Sequence, residues 1–218
     1  MTGTPFIPEQ ITVHLGTPNS DAENVTVNFP DYIKNVASSE IYPTWPESAI
    51  RANIYAIISF VLNRVYTEWY RVKGYNFDIT NTTQYDQKYI QGREIFENIS
   101  QIVDEIFNSY VVRQGRIEPL FTAFCNGTTV TCDGLSQWGT VGLAEQGLTP
   151  YEILQYYYGD DINIVGNVSV KTNTPSYPGE EMSLGMASND IKTIQVQLNR
   201  ISRNYPAIPK IEPINGIY

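Results

Sequence analysis

The feature that most constrains this chain is a long apolar segment, residues 46–74, which follows a proline-rich elbow. Its apolar residues recur at helical spacing and cover a face too wide for a helix that lies on a protein surface. They are Ile50, Ile54, Ile57, Ile58, Val61, Leu62 and Val65. We therefore expect a central, buried helix with Pro46 in its first turn, which continues through Trp69 and ends at Gly74.

A shorter helix is predicted just before this elbow, from a cap at Asp31 to Ile41. Glu40 lies near the end of this helix and close to Trp45. The helix dipole disfavours a negative charge at a carboxyl end, and such a charge is tolerated more readily at a functional site. A single carboxylate at an aromatic-lined elbow is a candidate general acid, and Glu40 is that candidate here.

The remaining pattern predicts an α+β fold. Alternating apolar and polar residues predict strands at 11–15 and 25–29, and His14 falls on the polar side of the first, where we interpret it as a surface residue. An amphipathic helix is expected from about Arg93 to Arg113. Further predicted elements are a hairpin of 119–125 with 128–132, a helix that ends at Gly147, a helix capped by Thr149 with Pro150 and Glu152 in its first turn, and a last strand in 161–165.

Charge and composition exclude some partners. The 14 basic and 23 acidic residues give a net charge of −9, and the basic residues form no run, which argues against nucleic acid and against an anionic membrane surface. The longest apolar run, 54–62, is interrupted by Ser59 and is too short to span a bilayer, so no membrane insertion is expected. The 16 tyrosines and 3 tryptophans suit a carbohydrate ligand, and they also suit ordinary packing.

The two cysteines, Cys125 and Cys132, cannot form a closed zinc site by themselves. A turn centred on 128–129 would pair them in a disulfide, whereas a turn on 126–127 would not. The residues leave both arrangements open.

Four passages of the chain resemble the SpoIID family, the stage II sporulation protein D or amidase-enhancer domain of bacterial cell-wall remodelling. They are TVNFPDYIKNVASSEIYPTWPESAIRA (26–52), FDITNTTQY (77–85), DGLSQWGTVGLAEQG (133–147) and TPYEILQYYYG (149–159). The resemblance implies a SpoIID-like domain over 1–165, in which long central helices pack on a small, mostly antiparallel sheet. We expect a linker at 166–180 and a short helical segment at 181–218 that resembles the first half of a peptidoglycan-binding module. That segment is a candidate surface for homo-oligomer formation.

Sporulation members of this family are lytic transglycosylases, and the resemblance implies the same activity on peptidoglycan glycan strands. The family's catalytic glutamate corresponds to Glu40, which would act as both acid and base while the 6-hydroxyl of the sugar supplies the nucleophile. No cofactor is expected. The residues predicted to bind the glycan are Ser39, Trp45, Tyr85, Asp133, Ser136, Gln137 and Trp138. For two sets of these the sequence leaves an alternative: 136–138 also suit a helix start with a packed tryptophan, and Asp133 also suits a helix cap.

The chain departs from the family pattern at three places. Ile58 stands where the family has an arginine near its active centre, and Cys132-Asp133-Gly134 replaces a Gly-His-Gly segment. Residues 80–85, TNTTQY, replace a Cys-Asp-Thr-Thr-His-Cys zinc site, so no metal is predicted. These departures support an alternative function, a non-catalytic protein that binds peptidoglycan or assembles with itself on a SpoIID-like fold.

The amino-terminal residues have no basic segment followed by an apolar one, so no signal peptide is predicted. We expect synthesis in the cytoplasm, and a cell-wall or extracellular site of action that is reached by non-standard export or by lysis.

Overall fold

The structure, a computed structural model, describes residues 5–173, 181–202, 205 and 207–218. Its helices are α1 (Phe29–Glu40), α2 (Glu47–Tyr66), α3 (Glu97–Ile106), α4 (Gln137–Glu145), α5 (Pro150–Tyr158) and α6 (Asn189–Ser202). Its strands are β1 (Ile7–Pro8), β2 (Gln10–His14), β3 (Asn24–Asn28), β4 (Ile79–Thr80), β5 (Tyr110–Arg113), β6 (Phe124–Cys125), β7 (Leu135–Ser136), β8 (Ile162–Val165) and β9 (Val170–Lys171). The predicted α+β class is confirmed.

Helix α2 is the centre of the fold. It packs against α1, α3, α4, α5 and β5, and its side chains from Ala56 to Val65 are all buried. Burial on every side explains why the apolar face is so wide in the sequence. The helix is shorter than predicted, since Pro46 is its cap rather than a residue of its first turn and a short 3-10 turn, Arg71–Lys73, separates Tyr66 from Gly74.

The described strands form four small sheets rather than one mostly antiparallel sheet. The largest has the order β3-β2-β4, with β2 and β3 antiparallel from Gln10 opposite Asn28 to His14 opposite Asn24, and β4 parallel to β2. Strands β5 and β8 are antiparallel, whereas β1 with β9 and β6 with β7 are parallel pairs. Strand β9 lies inside the predicted linker, of which 174–180 fall outside the described residues.

The predicted hairpin of 119–125 with 128–132 is wrong. Phe124 and Cys125 pair in parallel with Leu135 and Ser136, and a disulfide joins Cys125 to Cys132. The loop inside the disulfide is organised by Asn126, whose Oδ1 accepts hydrogen bonds from the backbone N–H groups of Thr128 and Thr129. These local bonds compete with strand pairing, so the loop stays irregular.

Two helix predictions also need correction. The helix expected from Arg93 to Arg113 covers only Glu97–Ile106, because Tyr110–Arg113 pair with β8, where Val111 and Val112 are buried as strand residues. Helix α1 begins at Phe29, two residues before the predicted cap. Asp31 lies in its first turn and accepts a hydrogen bond from Asn28 Nδ2 at 3.1 Å.

His14 is not a surface residue. It is 5% exposed and its ring stacks on Phe77 with centroids 4.6 Å apart. Its Nδ1 lies 2.7 Å from Asn24 Oδ1, and its Nε2 lies 3.2 Å from Ser20 Oγ. The turn that joins β2 to β3 covers the polar side of the strand, which the alternation of residues does not reveal.

The carboxyl-terminal residues form a small unit around α6. Gln195 is buried on this helix and accepts hydrogen bonds from the backbone N–H groups of Asn215 and Gly216 at 3.1 and 2.9 Å, and it donates to the carbonyl oxygen of Ile217. One turn later Asn199 donates to the carbonyl oxygen of Ile211 at 2.8 Å and accepts from the backbone N–H of the same residue at 2.7 Å. Two side-chain amides therefore hold the returning chain against the helix.

Within the part of the chain that the structure describes, no helix combines the length and apolar character needed to cross a bilayer.

Candidate functional site

Glu40 is the last residue of α1, and its carboxylate is held by two donors from distant parts of the chain. The backbone N–H of Lys88 donates to Oε1 at 2.9 Å, and the side-chain Nε2 of Gln137 donates to Oε2 at 3.2 Å. Two donors from separate segments of the chain fix both the position and the plane of a carboxylate, which is what a group that transfers a proton at a defined atom requires.

Gln137 is supported by a chain of buried hydrogen bonds that leads to the central helix. It is the first residue of α4 and is 3% exposed. Its carbonyl oxygen accepts a hydrogen bond from Thr140 Oγ1 at 2.6 Å, and Thr140 Oγ1 accepts one from Asn53 Nδ2 at 2.9 Å. Asn53 lies on α2 and also donates to the carbonyl oxygen of Ala49. Helix α2 therefore positions the start of α4, and through it the amide that contacts Glu40.

A cavity of about 540 Å³ opens beside Glu40. Its walls are the end of α1 with the elbow (38–42), residues of the segment 83–96, and the disulfide-closed loop together with Phe124 and Gln137. The volume lies in the range of small-molecule sites in proteins. The charged side chains in its lining are Glu40, Asp86, Lys88 and Arg93.

Three aromatic rings form a cluster at the elbow. Trp45 is buried, and its ring centroid lies 5.6 Å from that of Tyr42 and 4.9 Å from that of Trp138. Tyr42 and Trp138 are 56% and 41% exposed, and Tyr42 also lines the cavity. Exposed aromatic faces that rest on a buried ring are rigid apolar platforms of the kind that pack against sugar rings. Trp45 is thus the buried ring of the cluster. Tyr42, which is not among the predicted glycan contacts, is its member in the cavity lining.

The disulfide-closed loop packs tightly on the start of α4. Gly127 has a φ of +84°, and a Cβ added to it would lie 1.8 Å from Ser136 Oγ. The side chain of Ser136 itself caps α4, accepting a hydrogen bond from the N–H of Gly139 at 3.0 Å. Of the two roles left open for Ser136, the structure gives it the helix cap, and Asp133 does not cap this helix.

The other predicted glycan contacts are distributed around this centre. Ser39 lines the cavity, and its Oγ is buried without a hydrogen-bond partner in the described part of the chain. Asp133 and Tyr85 are exposed, and neither belongs to the described lining of the cavity. The backbone carbonyl of Tyr85 accepts a hydrogen bond from Arg64 at 3.3 Å. The structure therefore brings Glu40, Ser39 and Gln137 together at the cavity. The other predicted contacts are not part of its described lining, namely Trp45, Tyr85, Asp133, Ser136 and Trp138.

A buried network occupies the region where the family pattern has zinc ligands. Asp86 Oδ2 accepts hydrogen bonds from Tyr70 Oη at 2.6 Å and from the backbone and side chain of Thr80, while Oδ1 accepts one from Arg64 Nε at 2.9 Å. Burial and the neighbouring Asp86 carboxylate raise the pKa of Tyr70, so it remains a donor. Among the described residues, no group of three or more His, Cys, Asp or Glu side chains could hold a metal ion.

The structure thus defines an α+β domain with one distinctive site. In this site a carboxylate at a helix end is held by two donors and faces an open cavity. Residues 20–111, less than half of the chain, match the family model SpoIID, stage II sporulation protein, and this match confirms the predicted resemblance over that segment. The matched residues include Glu40, Asn53 and Lys88, whereas Gln137 and the disulfide lie beyond them.

The chain is also 31% identical, over 113 residues, to an uncharacterized protein of Brachyspira hyodysenteriae (strain ATCC 49526 / WA1). The aligned part covers 50% of this chain and 29% of that protein, so the chain spans less than a third of its relative.

Proposed function

We propose that this chain is a lytic transglycosylase of peptidoglycan, with Glu40 as its single acid and base. The observation that supports this proposal best is the Glu40 carboxylate itself, fixed by Lys88 and Gln137 at the wall of a cavity of sugar-binding size. The match of residues 20–111 to a stage II sporulation protein family is in keeping with a role connected to the cell wall in sporulation.

The reaction needs only one carboxyl group. Protonated Glu40 donates its proton to the glycosidic oxygen as the bond from C1 of N-acetylmuramic acid to that oxygen breaks. The Glu40 carboxylate then takes the proton of the 6-hydroxyl of the same sugar while O6 forms a bond to C1. The products are a 1,6-anhydro end and a free hydroxyl on the leaving sugar, Glu40 is protonated again, and no water is consumed.

Gln137 suits both protonation states of Glu40. A carboxamide has a donor on one side and an acceptor on the other, and rotation about its last bond exchanges them. Its NH₂ group donates to ionised Glu40 in the arrangement described above, and its carbonyl oxygen accepts from Glu40 after rotation. In this proposal Gln137 positions the acid and base, and Tyr42 and Trp138 supply apolar faces for the glycan.

A second candidate function is glycan binding without cleavage. The observation that favours it is Ile58, which is fully buried in the core, where the family pattern has an arginine. A buried isoleucine contributes no charge to the stabilisation of an oxocarbenium-like transition state, and the loop 80–85 contributes no metal. Binding to insoluble peptidoglycan with no released sugar is the outcome that this second function requires.

Digestion of purified peptidoglycan, with mass spectrometry of the soluble products, tests the proposal. The wild-type chain is expected to release anhydro-muropeptides, and Glu40→Gln is expected to release none. Glu94→Gln is the matched control, because Glu94 is an exposed glutamate outside the cavity lining. Equal release by Glu40→Gln and wild type contradicts the assignment of Glu40, and binding without release by both supports the second function.

A further inference from the structure

Two cationic side chains in the cavity have no acidic partner. Lys88 and Arg93 both line it, and among the described residues neither has a carboxylate oxygen within 4.0 Å of its side-chain nitrogens. Five other basic residues of the described chain are paired with acids, namely Lys34, Arg51, Arg64, Arg71 and Arg113. Other unpaired basic residues of the described chain, Arg116 and Lys192 among them, lie outside this cavity, so the cavity brings together two unpaired cations, Lys88 and Arg93.

The acids of the cavity do not neutralise these cations. Asp86 is paired with Arg64, and its oxygens already accept bonds from Tyr70 and Thr80. Glu40 accepts from the backbone N–H of Lys88 and from Gln137, not from either cationic group. Among the charged groups of the cavity wall that form no ion pair, two are therefore positive, Lys88 and Arg93, and one is negative, Glu40.

Arg93 is also incompletely hydrogen-bonded. Its Nη2 donates to the carbonyl oxygen of Ser38, and its guanidinium lies over the ring of Phe96, 5.6 Å from the centroid. Its Nε is buried and has no hydrogen-bond partner among the residues that the structure describes. The ring and the carbonyl hold the guanidinium in place without neutralising it, which leaves a pre-positioned cation for an anionic group.

From this arrangement we propose that Lys88 and Arg93 form a carboxylate-binding subsite in the Glu40 cavity. The ligand group is a carboxylate carried on a sugar ring, and this proposal rests on the proposed function, which identifies it as the lactyl carboxylate of an N-acetylmuramic acid residue without a stem peptide, since an attached peptide turns this group into a neutral amide. A neutral sugar of the same size gains nothing from the two cations. The subsite therefore discriminates between glycans that carry an acid and glycans that do not, and it fixes which sugar occupies the position beside Glu40.

A binding comparison with two tetrasaccharides of equal length tests the subsite. One is N-acetylglucosamine and N-acetylmuramic acid in alternation, and the other is chitotetraose, which has no carboxylate. Both are titrated by calorimetry at low salt into full-length Glu40→Gln, so that no bond is cut. The acidic tetrasaccharide is expected to bind about tenfold more tightly, as charge-assisted hydrogen bonds allow, and added salt is expected to reduce the difference.

Variants of the two cations identify the source of that preference. In the double variant Lys88→Met, Arg93→Met the acidic tetrasaccharide is expected to bind no better than chitotetraose, whose own affinity stays unchanged. The control pair Lys192→Met, Arg116→Met removes the same charge from exposed positions outside the cavity and is expected to keep the preference. Lys88→Met alone, which alters an exposed side chain, and Arg93→Lys, which keeps the charge, are each expected to reduce the preference without removing it.

The outcomes separate this proposal from the proposed function. Equal affinity for the two tetrasaccharides, or a preference that survives in the double variant, overturns the subsite and leaves glycan cleavage intact. Failure of both tetrasaccharides to bind overturns the subsite and the glycan-directed function together.

Discussion

Gln137 Nε2 lies 3.2 Å from Glu40 Oε2, across 97 residues of chain and between the first residue of one helix and the last residue of another. Each of these helix ends carries a partial charge from its helix dipole, which is positive at the start of α4 and negative at the end of α1. The contact joins an acid to a neutral amide that can both donate and accept. It is the side-chain link between the predicted catalytic residue and α4, beside the backbone donor of Lys88.

Replacement of Gln137 tests whether this contact positions Glu40. In Gln137→Leu the carboxylate keeps only the backbone donor of Lys88, so we expect kcat on peptidoglycan to fall about 10- to 100-fold with KM nearly unchanged. The matched control is Gln101→Leu, an exposed glutamine on α3. A rise in KM with unchanged kcat would instead make Gln137 a glycan contact, as the sequence alone suggested.

Thr140 tests the buried link from α2. Thr140→Val removes the hydroxyl that accepts from Asn53 and donates to the carbonyl oxygen of Gln137, and we expect a loss of about 1–3 kcal/mol in the free energy of unfolding. Urea denaturation measures this loss. Thr140→Ser keeps the hydroxyl and should recover most of the stability. If the valine and serine variants have the same free energy of unfolding, the hydrogen bonds of Thr140 contribute nothing measurable to stability.

The disulfide of Cys125 with Cys132 is expected to hold one wall of the cavity. Cys125, Asn126 and Val130 all belong to that wall, and the closed loop is short. Its removal in Cys125→Ser, Cys132→Ser should lower the free energy of unfolding by about 2 kcal/mol and raise KM more than it lowers kcat. Equilibrium denaturation and steady-state rates give the two numbers. A variant with unchanged KM would show that the loop does not contribute to glycan binding.

The capping box of α5 makes a prediction about pH. Glu152 accepts hydrogen bonds from the backbone N–H and the hydroxyl of Thr149, at 2.8 and 2.7 Å, and these bonds lower its pKa below the ordinary value of 4.5. A lowered pKa in the folded chain means that the contribution to stability is complete above about pH 4.5 and is lost as the pH falls through the folded pKa.

Thermal unfolding between neutral and acidic pH measures this contribution. Wild type should lose part of its stability in acid that Glu152→Gln does not lose, since glutamine can cap the helix without titrating. Identical pH profiles for the two proteins would contradict the assignment.

Local features of the fold could be predicted from the sequence, whereas pairings between distant segments could not. The box of Thr149, Pro150 and Glu152 is confirmed, because a cap depends on neighbouring residues. The pairing of β5 with β8 was missed, since nothing near Tyr110–Arg113 reveals partners about fifty residues later. Tertiary pairing therefore overrode a helical pattern.

The same reasoning explains which site residues were missed. Lys88 holds Glu40 through its backbone N–H, and a backbone donor has no signature in the side-chain sequence. Asn53 and Thr140 are 87 residues apart, and a buried asparagine in an apolar helix was the only signal of that link. A buried polar residue needs a hydrogen-bond partner. The position of Asn53 therefore indicated that a partner exists, but the sequence did not indicate which residue it is.

The central claim is that Glu40 cleaves a glycan by means of the sugar's own hydroxyl rather than water. Digestion of peptidoglycan in water enriched in heavy oxygen tests this most directly, with mass spectrometry of every product. The expected result is anhydro-muramic ends without heavy oxygen from the wild-type chain, and no product from Glu40→Gln. Reducing ends that carry heavy oxygen, or the same products from Glu40→Gln, would contradict the account.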